Sequence, residues 1–139
     1  MKRVFADTNY FAAILNQHDR LHVRALAVGR ELTIAGDVRF VTLLATLGEL
    51  LTFASNQGEH VRREAADLVE RVLSSPDFDV IEDDRRLFDA ARDLYRRRPD
   101  KSYSMIDCMA MVVCSQQSIT EVLTGDRDFE REGLTVLLT

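Results

Sequence analysis

Four acids occupy positions where a soluble protein has little structural reason to place a carboxylate. Asp7 follows the apolar run RVFA directly, and Glu49 sits inside the greasy stretch LLATLGELLTFAS. Asp107 lies near the start of SMIDCMAMVVC, and Asp126 stands two residues beyond the strand candidate 119–124. Charge beside hydrophobic elements is normally exposed, paired or metal-bound. If these acids converge, repulsion is costly: two carboxylates about 4 Å apart repel by roughly 4 kcal/mol at an effective dielectric of 20. A divalent cation removes that cost. An all-oxygen donor set with no suitable Cys or His cluster points to Mg2+ or Mn2+ rather than zinc. Such a cation lowers the pKa of bound water and neutralises a phosphodiester oxygen, so hydrolysis of a polynucleotide backbone fits the chemistry.

Each acid also has a local explanation. Asp7 or Thr8 can cap the helix that follows, and Thr46 with Glu49 has the spacing of a capping box if that helix starts late. Ser104 and Asp107 have the same spacing, with the serine also placed to position the carboxylate. Asp126 and Asp128 read equally well as turn and cap residues before a short helix. Four acids at separate element ends, two of them flanked by core, favour the collective explanation.

The elements that must position them follow from periodicity. Residues 3–6 form a short strand, and Asp7-Thr8-Asn9 leads into the helix YFAAILN. Gln17-His18-Asp19-Arg20 is a polar turn, and residues 20–35 carry a helical apolar pattern. His18 and His22 are four apart and read as surface polar residues. A strand over residues 38–42 precedes the helix that carries Glu49, and residues 59–74 form an amphipathic helix. Ser75-Pro76 stops that helix, a strand covers 78–81, and Asp83 or Asp84 caps a further helix through Tyr95. The run Arg96-Arg97-Arg98-Pro99 ends it. These arginines either complement the helix dipole or, with Lys101, offer candidate RNA contacts near the acidic helix. After the helix of Asp107 come strands over 119–124 and 134–138, with a short helix between. Five short strands alternating with longer helices predict an α/β domain with a largely parallel sheet. In such sheets, functional groups gather beyond the carboxyl ends of the strands.

The 139 residues suit a single domain, 1–139, with 46% apolar and 29% charged residues and only six Gly and two Pro. The net charge of -5 argues against general electrostatic binding to nucleic acid and leaves local basic patches or bridging cations as the means of approach. Cys108 and Cys114 fall six apart on one helix, on different faces, and read as small core hydrophobes of a reducing compartment. The continuous apolar stretches are too short to span a membrane, so the expected location is cytoplasmic.

Together these motifs resemble a PIN-domain protein of the VapC type, the ribonuclease toxin of bacterial and archaeal toxin-antitoxin pairs. Asp7-Thr8-Asn9 matches the family's opening motif, Glu49 the acid of the second region, and Ser104-Met105-Ile106-Asp107 the third. Thr124-Gly125-Asp126-Arg127-Asp128-Phe129 resembles the last. The likeness covers nearly the whole chain. It implies a three-layer α/β/α sandwich around a central, mainly parallel five-stranded sheet, usually a homodimer, that cleaves RNA with Mg2+ or Mn2+. It also implies that Asp7, Glu49 and Asp107 are the principal carboxylates and Asp126 the more variable fourth. Thr8, Asn9 and Ser104 would organise them, Asp128 is an additional candidate acid, and an antitoxin partner would cover the acidic cleft. The competing readings are a non-catalytic PIN-like binding module and a metal-dependent phosphatase. A covalent aspartyl-phosphate mechanism is disfavoured, because no second Asp stands two residues after Asp7.

Overall fold

The computed structural model describes residues 1–139. The chain runs β1 (Lys2–Ala6), α1 (Thr8–Leu15), α2 (His22–Ala35), β2 (Val38–Leu43), α3 (Leu44–Ala54), α4 (Glu59–Ser74), β3 (Phe78–Ile81), α5 (Arg85–Arg97), α6 (Met105–Gln116), β4 (Glu121–Leu123), a 3-10 turn (Arg127–Glu132) and β5 (Thr135–Val136). The strands form one sheet in the order β3-β2-β1-β4-β5, with every neighbouring pair parallel. Helices cover both faces, which gives the α/β/α sandwich.

The two layers follow from strand alternation. Phe5, Val41, Leu43 and Val122 point to the side covered by α5 and α6. Val4, Ala6, Phe40 and Leu123 point to the other, where Tyr10, Val28, Leu47 and Leu68 bring in α1 to α4. Central strand β1 therefore reads as a continuous apolar run: Val4, Phe5 and Ala6 are fully buried, as expected for a strand covered on both faces. α6 is buried on most of its circumference, so Cys108 and Cys114 enter the same core cluster rather than separate surroundings. Burial pushes the Cys108 thiol up to about 11 and the Cys114 thiol up to about 12, which keeps both as unreactive core groups.

Differences from the periodicity lie at element ends. The expected strand 119–124 narrows to Glu121–Leu123 because Thr124 turns back, its amide donating to the Val122 carbonyl at 3.1 Å. The last strand is two residues long, although Leu137 and Leu138 still donate to the Val122 and Thr124 carbonyls at 3.0 and 3.1 Å. No helix is long and apolar enough to cross a membrane.

Sheet order reverses at β1. From there the chain passes to β2 and β3 on one side, and to β4 and β5 on the other. The loops leaving the carboxyl ends of β1 and β4 consequently diverge and open a crevice.

Candidate acidic active site

Asp7 is the first residue beyond β1, and its amide extends the ladder by donating to the Leu123 carbonyl at 3.1 Å. It occupies the cap position of α1 in extended conformation, yet its side chain makes no capping hydrogen bond. The carboxylate turns inward instead and is 4% exposed. The Thr124 hydroxyl stands 2.9 Å from Asp7 Oδ2 and 3.0 Å from Asn9 Oδ1. Its single proton serves one of these acceptors at a time. Asn9 Oδ1 also accepts the Gly125 amide at 3.1 Å, and Thr124 Oγ1 accepts the Asp126 amide at 3.1 Å. This small network ties the loop after β1 to the loop after β4.

The remaining acids arrive from three other elements. α3 begins at Leu44, so Glu49 lies in mid-helix and the capping-box reading with Thr46 does not hold. Asp107 does form its capping box: its amide donates to Ser104 Oγ at 3.0 Å, and the Ser104 amide donates to Asp107 Oδ2 at 2.9 Å. Asp126 caps the 3-10 turn by accepting the Asp128 amide at 2.9 Å. Capping does not remove these acids from the crevice. Asp7, Glu49, Asp107 and Asp126 line one cleft of about 410 Å3, together with Thr8, Asn9 and Phe53.

Sequence reasoning missed three contributors. Asp19, read only as part of a polar turn, adds a fifth carboxylate to the cleft wall. Phe53 supplies an aromatic side chain. Thr124 holds the Asp7 carboxylate; it stands at the head of the last motif, but no role was read for it. Asp128 is not a wall residue: its carboxylate lies 3.7 Å from Arg131. Of the basic candidates, Arg96 and Arg97 are exposed, Lys101 lies 3.1 Å from Asp100, and Arg98 is engaged elsewhere. Arg98 Nε and Nη2 donate to the two Glu132 oxygens at 3.0 and 3.3 Å, and the Tyr103 hydroxyl donates to Glu132 Oε2 at 2.8 Å. Burial works against the Glu132 carboxylate, but these donors outweigh it and hold it below its usual range. Burial and the adjacent Glu132 charge push Tyr103 up to about 12.

Electrostatics concentrate on Asp7. Burial, then the charge of Asp107, pushes its carboxyl up to about 7; the Thr124 and Thr8 hydrogen bonds offset only part of this, and Glu49 adds further repulsion. Burial also raises Asp107, and repulsion from Asp126 and Glu49 adds to it against the Ser104 hydrogen bonds. Such a cluster stores unfavourable charge that a cation would relieve. The donor set fits a hard cation in kind, being all oxygen, and buried Thr8 Oγ1 has no hydrogen-bond partner. No group of three His, Cys, Asp or Glu side chains is arranged to hold a metal ion, so the acids share a cleft without forming a ready cage.

The family model for the PIN domain matches residues 4–133. The chain belongs to the PIN-domain family. Among solved structures, this PIN protein is similar to the sarcin-ricin-loop-cleaving toxin VapC20 of Mycobacterium tuberculosis, with a TM-score of 0.82 and 23% identity over 98% of this chain and 99% of that one. It is also similar to FitAcB from Neisseria gonorrhoeae, with a TM-score of 0.64 and 21% identity over 96% of each chain. VapBC2 from Rickettsia felis, solved with a DNA fragment from its promoter, gives a TM-score of 0.67 and 14% identity over 96% of each chain. No curated protein matches the chain significantly. The structural likenesses establish the PIN architecture, and the family match supports a nuclease-like role.

Proposed function

We propose that this PIN protein is a Mg2+- or Mn2+-dependent ribonuclease that hydrolyses RNA phosphodiester bonds and serves as the toxin of a type II toxin-antitoxin pair. The observation that carries the reading is Asp7. It is buried, does no capping work and is pushed up to about 7 inside a cleft lined by further acids. A protein retains such a group at a net energetic cost when chemistry requires it.

In this reading Asp7, Glu49 and Asp107 hold the cation, with Asp126 as fourth acid. Thr124 and Asn9 fix the Asp7 side of the cleft, Ser104 fixes Asp107, and Thr8 offers a free hydroxyl oxygen. When bound, Mg2+ or Mn2+ supplies Lewis-acid stabilisation of the phosphodiester and a more acidic water. Water attacks phosphorus in line, and the 3′ oxygen leaves. The pairing of β1 with β4 in the middle of the sheet fixes the backbone from which Asp7 faces the substrate phosphate.

The toxin assignment is supported by the likeness to the toxin VapC20 and to the VapBC2 and FitAcB assemblies. It carries with it an antitoxin protein partner that covers the acidic cleft, and a homodimer. The test is cleavage of an RNA panel, beside simple phosphate monoesters, with and without Mg2+ or Mn2+. RNA cleavage that vanishes in folded Asp7→Asn and Asp107→Asn proteins supports the reading. Cleavage unchanged by both substitutions, or hydrolysis of monoesters alone, overturns it.

A further inference from the structure

A second cavity of about 440 Å3 opens beside the acidic cleft, a size that accommodates small ligands. Phe53 is 41% exposed and lines both spaces. All three histidines of the chain, His18, His22 and His60, line this one cavity, although they come from the loop before α2, from α2 and from α4. Asn16, Gln17 and Gln57 add carboxamides, and Ile14 and Val61 add apolar surface.

Several polar groups are oriented by the fold. His22 Nδ1 lies 2.7 Å from the Ala13 carbonyl, so the neutral ring donates there and keeps Nε2 as its acceptor. Asn16 Oδ1 accepts the His18 amide at 3.0 Å, which leaves the Asn16 NH2 group as a donor. His60 Nε2 lies 2.6 Å from Glu64 Oε1. The histidines do not constitute a metal site, since no such group of three is arranged to hold an ion. An aromatic face, a small apolar floor and fixed donors and acceptors match the needs of an unstacked nucleobase, which stacks on its flat side and hydrogen-bonds along its edge. Carboxamides suit adenine in particular. An amphipathic peptide helix requires an apolar groove, whereas only four of the eleven lining residues here are hydrophobic.

We infer that this cavity is a base-binding subsite for single-stranded RNA: it takes one nucleobase beside the phosphodiester held at the acids, with Phe53 as stacking platform and His22, Asn16 and Gln57 along the base edge. The inference rests on the ribonuclease reading, because Phe53 joins the cavity to the acidic cleft.

The test compares two fluorescein-labelled oligomers, an oligoadenylate and an abasic ribose-phosphate of equal length, by anisotropy on the Asp107→Asn protein. Adding Phe53→Ala weakens oligoadenylate binding about tenfold, the usual scale for loss of one stacked base, whereas Phe53→Tyr retains it. The abasic oligomer binds equally with and without Phe53→Ala. Equal loss for both oligomers, or loss for neither, overturns the subsite and leaves the ribonuclease reading standing if the unsubstituted protein still cleaves RNA with metal. Absence of that cleavage removes the ribonuclease reading, and the subsite with it. Tight binding of a short apolar helical peptide, abolished by Phe53→Ala while oligoadenylate binding is unchanged, assigns the cavity to protein docking and overturns the inference.

Discussion

The acids of the cleft are held in opposite ways. Asp107 and Asp126 each serve the fold, one inside a capping box and the other at the head of a 3-10 turn. Asp7 sits at a cap position without capping anything, is nearly sealed from solvent, and carries the largest upward shift among the acids. Asp107 and Asp126 would be tolerable in a protein with no catalytic role. Asp7 would not, because its burial and its acidic neighbours both disfavour its charged form. The contrast shows why Asp7 carries the most functional information: it is buried among acids and has no capping role.

Substitutions can break this contrast, and the largest effect belongs to Asp7→Asn. RNA cleavage falls below about one hundredth of the unsubstituted rate, at the upper end of what loss of a metal-site group costs, while the folded protein in chelator becomes more stable at neutral pH. A parallel loss of activity and stability would instead make Asp7 an ordinary structural residue. Thr124→Val comes next. It removes the hydroxyl beside Asp7 and lowers Mn2+ affinity by about 10- to 100-fold, as loss of a supporting hydrogen bond does, which isothermal titration calorimetry reads directly.

A pH titration of unfolding in chelator sharpens the same point. The folded-state value of Asp7 is raised, so its favourable contribution is full below the ordinary 3.8 and is lost as pH rises towards about 7. The Asp7→Asn protein lacks that decline. Glu132 has the opposite sign: its folded value is lowered, so its contribution is present above the ordinary glutamate value and is lost as pH falls through the folded one. Glu132→Gln therefore destabilises at neutral pH by about 1–3 kcal/mol, the cost of leaving charged partners unsatisfied, and by less in acid. The smallest effect is that of Ser104→Ala, about 1 kcal/mol by denaturant unfolding for a lost cap.

Much of this architecture was legible because strands and helices announce themselves through local pattern. Residues 3–6 read as a short strand, which the structure extends to Lys2–Ala6, and Phe78–Ile81 appeared with its observed bounds. Convergence at the cleft was legible only as a possibility of α/β topology. The cap reading of Asp7 could be settled only by where the side chain turns, and the cap reading of Asp107 proved true without excluding a place in the cleft. Thr124 and Phe53 gave no periodic signal, because their importance lies in partners supplied by distant segments. The arginine run shows the same limit of locality: the sequence offered Arg98 as a dipole or RNA contact, and the fold brings Glu132 against the Nε–Nη2 edge of its guanidinium.

The hydrogen bond between Asp7 and Thr124 spans 117 positions of sequence. All of the chain between them must be made before this bond can close, and β1 waits equally long for β4 to take its place beside it. The acidic crevice is therefore closed by contacts between distant segments, which form later than the local helices around it. Until β4 and the turn after it emerge, Asp7 stands without the Thr124 hydroxyl and the Asp126 loop that shape its side of the cleft.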